Sequence, residues 1–183
     1  MYKGDDFMFR LIALTLVTIP AWAGPFGFSI EEHRDDFTGT TYIVGDGLKV
    51  CPPKGITSCA SLRIAWTQED PDTALLRIEV HNATSILALS AKTPDGIVTF
   101  DADTITDIDA ARVPSGLAWS SANTFAVPIK VLESIASSRE TGTIRVTGTH
   151  SAIDFDFYRK ASMRGLPVDQ LRTFLQRIGS GSD

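Results

Sequence analysis

Residues 143–158, TIRVTGTHSAIDFDFY, alternate between hydrophobic and polar positions on either side of a polar centre. Successive side chains of a β-strand point to opposite faces, so every second residue shares a face. The pattern therefore predicts two strands that form an antiparallel hairpin with one apolar face. Five residues lie on that face: Ile144, Val146, Ile153, Phe155 and Phe157.

The same alternation occurs in residues 62–67 and 76–81, and the turn-forming sequence QEDPDT lies between them. This pattern predicts a second antiparallel hairpin, in which Trp66 lies on the apolar side and is expected in the core. Residues 38–44 are rich in β-branched side chains and predict an earlier strand. The turn residues Asp46 and Gly47 follow it, so a hairpin is expected around them.

Two other segments give a less regular pattern. Residues 86–91 are more continuously apolar, which indicates a strand that is buried on both faces. Residues 110–123 contain proline, glycine and many small residues, and we expect them to be rich in loops.

Helical spacing of hydrophobic residues appears on both sides of the last hairpin. Residues 129–136 predict a short amphipathic helix that Pro128 could start. Residues 166–178 predict a second helix, with Pro167 in its first turn and Gly179 at its end. This helix is expected to cover one sheet edge or barrel end, and the apolar face of the last hairpin is one surface on which it could dock. One stripe of the helix is apolar and must be buried: Leu171, Phe174, Leu175 and Ile178.

About nine or ten short strands and two helices predict a mainly β fold, namely an antiparallel β-sandwich or a partly closed barrel. The short helix precedes the last hairpin, and the amphipathic helix is C-terminal. A chain of 183 residues fits one core. We expect a single β-rich domain over residues 37–178, an extended N-terminal arm over 24–36 and a disordered tail over 179–183.

The first 23 residues have the pattern of a secretory signal peptide. Arg10 precedes the apolar run 11–19, and the small-residue site Ala-Trp-Ala follows at 21–23. This run is far shorter than the ~20 residues of a membrane-spanning helix. We therefore expect cleavage after Ala23, no stable membrane anchor afterwards, and a periplasmic or secreted protein.

Cys51 and Cys59 are the only cysteines of the chain. In an oxidising compartment they are expected to form a disulfide. On the loop-entropy model, closing this short loop stabilises the fold by roughly 2–3 kcal/mol. Their spacing matches neither the C-x₂₋₄-C pairs of zinc sites nor the C-x-x-C pairs of redox enzymes.

Charge and motif content favour a binding protein over an enzyme. A formal net charge of −5, with no cluster of basic residues, argues against a nucleic-acid partner. The three histidines, His33, His81 and His150, are far apart in the sequence, and no nucleophile motif surrounds any serine. We therefore assign no catalytic residue.

Two features could bind a ligand. Asp101, Asp103, Asp107 and Asp109 could converge on a calcium ion, which is the one cofactor that the sequence suggests. The alternative is a solvated acidic strand edge that discourages pairing between sheets. Trp119, which the pattern places in a loop, is the aromatic residue expected to project as a ligand platform.

The sequence thus favours an exported, non-enzymatic binding or accessory protein of the cell envelope with a protein or small-ligand partner. The signal peptide and the cysteine pair favour the periplasm as its location. One alternative is a hydrolase whose site is assembled from distant residues, such as His150 with an aspartate and a serine. The other is a calcium-dependent carbohydrate-binding or adhesin-like module.

Overall fold

The computed structural model of the protein describes residues 27–54, 59–81, 85–102, 106–113, 116–160 and 165–180, and it gives the backbone alone for 111–113 and 116–118. The predicted signal peptide, the arm residues 24–26, Asp103 and the tail residues 181–183 lie outside these ranges. The strands are β1 (Ser29–Arg34), β2 (Thr41–Val50), β3 (Ala60–Thr67), β4 (Asp70–Val80), β5 (Ile86–Thr93), β6 (Gly96–Asp101), β7 (Asp107–Val113), β8 (Gly116–Pro128), β9 (Thr143–Gly148) and β10 (Ala152–Asp156). The helices are α1 (Ile129–Ser137) and α2 (Pro167–Ser180).

The strands form two antiparallel sheets, which confirms the predicted mainly β sandwich. A six-stranded sheet has the order β1-β2-β3-β4-β8-β7, and a four-stranded sheet has the order β10-β9-β5-β6. In the described part of the chain, neither sheet closes on itself, so the fold is a sandwich and not a barrel. The edge strands are β1 and β7 in the larger sheet and β10 and β6 in the smaller one.

The core lies between the apolar faces of the two sheets and is completed by both helices. In β3, every second side chain is buried, Leu62, Ile64 and Trp66 among them, as the alternation predicts. α1 packs against β4, β5 and β8, and it follows Pro128 as expected. The last hairpin is also confirmed, because Phe155 pairs with Ile144 in β9 and both side chains are buried.

The C-terminal helix is confirmed, but the last hairpin is not its main docking surface. α2 packs on β2 and on α1. The reason is a gap over Gly45 in β2, where the absent side chain leaves room for two aromatic rings. A methyl group on Gly45 would lie 3.0 Å from Phe174 Cδ2 and 3.0 Å from Phe28 Cζ.

Arg172 joins the two helices through a capping contact. Its Nε and Nη2 donate hydrogen bonds of 3.0 and 2.8 Å to the carbonyl oxygen of Ala136, in the last turn of α1. Tyr158 Oη donates to the same oxygen at 3.0 Å. Carbonyl groups at a helix C-terminus lack partners within the helix, and a cation there also interacts favourably with the negative end of the helix dipole. This contact fixes the position of α2 against α1.

The hairpin expected around Asp46 and Gly47 is not formed. β2 runs through both residues, and the register against β3 shifts between Gly45 and Leu48. One extra residue on β2 makes a β-bulge there, and Gly47 adopts a positive φ of 83° that a glycine accepts without strain. The turn residues therefore bend a continuous strand.

Two further predictions are wrong, because neither a continuous apolar run nor a run of small side chains reveals which face of a strand is buried. Residues 86–91 are buried on one face alone, since Leu87 is exposed. Residues 110–113 and 116–123 are not rich in loops but belong to the antiparallel pair β7–β8. Half of these twelve residues are alanine or serine, which conceals the alternation.

The ends of the domain also differ from expectation. Residues 29–34 of the predicted arm form β1, which pairs with β2 from Ser29 to Arg34. α2 does not end at Gly179, because it continues to Ser180, whose Oγ donates a 2.9 Å hydrogen bond to the carbonyl oxygen of Arg177.

Candidate interaction site

One flank of the sandwich exposes large hydrophobic side chains that face inward. In the described residues, seven large hydrophobic side chains are exposed, and they lie on several parts of the surface: Phe37, Leu75, Leu87, Ile97, Val98, Ile108 and Trp119. Val98, Ile108 and Trp119 come from β6, β7 and β8, which lie at the same flank. We call these three residues the open flank.

Pairing within the six-stranded sheet shows which way Ile108 and Trp119 point. Ile108 is directly opposite Ser121, and Ala110 is directly opposite Trp119. Directly paired residues share a face, and Ser121 is fully buried on the inner face of the sheet. Ile108 and Trp119 therefore point to the inner side as well, yet they are 48% and 46% exposed. The core ends before it covers them.

The four-stranded sheet contributes the third residue. Val98 pairs with Ala91, a buried residue on the inner face of that sheet, so Val98 also points between the sheets. β6, an edge strand of the smaller sheet, packs against β8, which is the neighbour of the edge strand β7 in the larger sheet. Apolar side chains from both sheets thus line one partly open strip beside the core.

A buried polar contact anchors this flank to the rest of the fold. Asn123 in β8 donates through Nδ2 to the carbonyl oxygen of Ile86 in β5, at 3.2 Å. Thr106, just before β7, accepts a 2.8 Å hydrogen bond from the Ile86 amide and donates to the Ile86 carbonyl oxygen at 3.2 Å. These bonds connect the two sheets and position the start of β7. Sequence patterns missed them, because a polar residue within a strand gives no sign that it is buried.

Trp119 does not lie in a loop, as the sequence analysis expected, but within β8. Its exposed position comes from its place near the end of the inner face and not from loop geometry. A strand holds a side chain more rigidly than a loop does, which makes Trp119 a better defined contact surface.

The three predicted calcium ligands that the structure describes, Asp101, Asp107 and Asp109, are not brought together. Asp107 and Asp109 project from the outer face of β7, and Asp107 forms a 3.0 Å ion pair with Arg77 of β4. Asp101 pairs with Ala88 on the outer face of the other sheet. Asp103 lies outside the described residues, so its part in a site stays a prediction. No group of three metal-ligating side chains occurs in the described ranges.

The histidines lie on the surface of the described structure. His33 Nε2 is 3.2 Å from Glu31 Oε2 on the same strand. His81 follows β4, and His150 lies between β9 and β10; both are exposed. Within the described part of the chain, none of the three histidines hydrogen bonds to a hydroxyl group that could act as a nucleophile. The hydrolase arrangement therefore has no geometric support among these residues.

Cys51 and Cys59 form the predicted disulfide. The disulfide joins the end of β2 to the start of β3. Cys51 is buried, and its carbonyl oxygen accepts a 2.9 Å hydrogen bond from the amide of Asp156, the last residue of β10. This hydrogen bond ties the end of β2 to the smaller sheet. Neither helix in the described residues is long and apolar enough to span a membrane.

A fully exposed aromatic residue lies at the turn between β1 and β2. Phe37 is 99% exposed, and its amide donates a 2.8 Å hydrogen bond to Asp35 Oδ1. This backbone hydrogen bond, together with one from the Thr38 side chain, lowers the pKa of Asp35. Phe37 stands alone, whereas the open flank combines three apolar residues and two strand edges.

A shallow depression lies beside the N-terminus of α2. Its volume is about 440 Å³, and its lining includes Phe28, Leu166, Asp169 and Thr173. It also includes Gly27 and Gly165, each of which adjoins a segment outside the described residues. Its complete walls are therefore not defined, and we assign it no ligand.

Comparisons of the chain with protein-family models, with curated proteins and with solved structures found no match.

Proposed function

We propose that the protein is an exported accessory protein of the cell envelope, located in the periplasm, that binds a partner protein at the open flank without catalysing a reaction. The observation that carries this proposal is the inward-facing apolar strip of Val98, Ile108 and Trp119, which the core leaves uncovered. Exposed apolar patches that are bordered by polar residues are typical of interaction sites.

Trp119 would contribute most of the binding free energy at this flank. A tryptophan side chain can bury up to about 250 Å². Trp119 is 46% exposed, so a partner could cover on the order of 100 Å² of its surface. At about 25 cal/mol per Å², this burial is worth roughly 2–3 kcal/mol before the costs of association. Tryptophan is also among the residues that dominate measured interfaces.

Export is supported by two independent features. Residues 1–23 have the order of a signal peptide, with Arg10, an apolar run and a small-residue cleavage site. The Cys51–Cys59 disulfide is of a kind that persists in oxidising compartments such as the periplasm or the extracellular space. A periplasmic binding or accessory role unites these features with the open flank.

Site-specific photo-crosslinking tests the proposed interaction. A photoreactive amino acid replaces Trp119 in cells that produce the protein, and the matched control carries it at Leu75, which is also exposed but lies on the outer face of β4. We expect a protein adduct of one defined mass from position 119 and none from position 75. The absence of an adduct at 119, or equal adducts at both positions, would overturn the proposal.

Cell fractionation and N-terminal sequencing test export separately. We expect the protein in the periplasmic fraction, with a mature N-terminus near Gly24. Retention of residues 1–23, or of any large part of them, in the exported material would show that the segment is not cleaved. Recovery from the cytoplasm alone would contradict the proposed location.

A further inference from the structure

We propose that the partner adds an extended strand to the free edge of β7, and that this strand alternates basic and apolar residues. The inference rests on the proposed binding function and specifies the chemistry of the partner. Addition of a strand to an exposed sheet edge is a common mode of peptide recognition, in which main-chain hydrogen bonds give affinity and alternate side chains give specificity.

The edge of β7 has the main-chain groups that this mode requires. β7 pairs with β8 from Asp107 to Val113 on one side. In the described ranges, no strand pairs with its other side. The outward-facing N–H and C=O groups of an edge strand form a template for a further strand.

The other three edges are less suitable. β1 has charged residues on both faces, and Glu32 forms a 2.6 Å ion pair with Arg177 of α2, which lies against this edge. β10 has five residues, and its outer side already pairs with Cys51 at Asp156. β6 has apolar neighbours, Ile97 and Val98, on opposite faces and so lacks a face that selects a partner.

The side chains of β7 specify the pattern of the added strand. Asp107 and Asp109 point to the outer face, whereas Ile108 and Ala110 point to the inner face beside Ser121 and Trp119. Residues of an added strand would lie on the same faces as their neighbours in β7. Apolar residues would thus cover the open flank, and basic residues would lie against the two aspartates.

Asp109 is the position opposite which a basic residue of the partner would gain the most favourable electrostatic interaction. Asp107 already forms an ion pair with Arg77. In the described structure, by contrast, Asp109 is exposed and has no ion-pair partner. A lysine or arginine of the partner would therefore meet an uncompensated carboxylate at Asp109.

A second copy of the chain fits this edge poorly. Full-length antiparallel pairing of two β7 strands would place Asp107 of one copy opposite Val113 of the other, and Asp109 opposite Ala111, so neither aspartate would gain a partner of opposite charge. Each copy also has a net charge of −5. The acidic edge therefore disfavours self-association and favours a basic partner.

A fluorescein-labelled peptide of eight alternating lysine and valine residues is the probe, and binding to the full mature protein is measured by anisotropy. The first control peptide replaces every lysine by glutamate. The second control keeps the lysines but replaces two central valines by proline, which removes main-chain donors. We expect the lysine peptide to bind, the proline peptide to bind about tenfold more weakly, and the glutamate peptide not to bind.

An Asp109→Lys variant tests the side-chain pairing, because the exposed position tolerates the change without unfolding. We expect about a fivefold loss of affinity for the lysine peptide and a gain for the glutamate peptide. Hydrogen exchange should show new amide protection in residues 107–113 when the lysine peptide is bound. Protection confined to residues 96–101 would place the strand on β6 and overturn the proposal.

The two levels of the hypothesis fail in different ways. A specific crosslink at position 119 without binding of the lysine peptide would retain the interaction site and overturn strand addition. Equal binding of the lysine and proline peptides would overturn strand addition as well, because charge alone would then explain the affinity. A dimer of the free protein in sedimentation would identify the occupant as a second copy and refute the basic partner.

Discussion

Replacing Phe174 by alanine should remove a large part of the free energy of unfolding of this protein. Phe174 is the aromatic residue through which α2 rests on β2, and its side chain is 0% exposed. An isolated helix of α2's length is marginal in water, so its persistence depends on this packing. The substitution tests whether α2 belongs to the core or is an independent surface.

The size of the loss in stability depends on the residues that surround the Phe174 ring. Truncation of a fully buried phenylalanine to alanine costs roughly 3–5 kcal/mol, and the cost is higher where the cavity cannot close. The ring lies over Gly45, where the strand has no side chain that could move into the space. We therefore expect about 4 kcal/mol, which is a large share of the 5–15 kcal/mol typical of a folded domain.

Urea unfolding followed by tryptophan fluorescence measures this cost, with buried Trp66 as a reporter of the core. Phe37→Ala is the matched control, since it removes the same side chain from a position that is 99% exposed. It should change the free energy of unfolding by less than about 0.5 kcal/mol. A change below about 1 kcal/mol for Phe174→Ala would refute the docking of α2 and make its apolar stripe a candidate interface.

Three further predictions concern single contacts. Gly142→Ala should destabilise the protein by more than about 2 kcal/mol in urea unfolding, because the new methyl group would meet the ring of Tyr158. The control Gly179→Ala adds a methyl group in open space and should be neutral or slightly stabilising. Thiol titration of the unfolded, unreduced protein should detect no free thiol from Cys51 or Cys59, and two thiols would contradict the disulfide. Hydrogen bonds from Arg145 lower the pKa of Asp154. The stability that this pair contributes is therefore present above about pH 4 and is lost as the pH falls through the lowered pKa. The difference in urea midpoint between Asp154→Asn and the unaltered protein should therefore shrink at low pH, and a constant difference would disprove this pairing.

The sequence predicted those elements whose hydrophobic period is strict. The hairpin of β9 and β10 buries Ile144 and Phe155 on one face, as alternation requires, and β3 does the same with Trp66. Both helices were recognisable because apolar residues recur at helical spacing after a proline. In each case the local pattern and the tertiary burial agree, which is why local reasoning sufficed.

Prediction failed where the decisive contact joins distant residues. Nothing near Phe174 in the sequence indicates Gly45, although the missing side chain there decides where α2 docks. Asn123 and Thr106 are ordinary polar residues until pairing of the strands places them beside Ile86. Trp119 was recognised as exposed, but its inward direction depends on its register with β7 and on how far the core extends.

The aspartates in and before β7 show that strand register, and not composition alone, decides whether acidic residues can converge on one site. Calcium binding requires several oxygen ligands that converge on one ion. The structure instead places Asp101 on the outer face of one sheet and Asp109 on the outer face of the other, and Arg77 already holds Asp107. Asp107 and Asp109 alternate with Ile108 along the free edge of β7. On the proposed mode of binding, these carboxylates would attract a basic strand and repel an acidic one, and they would thereby select the partner.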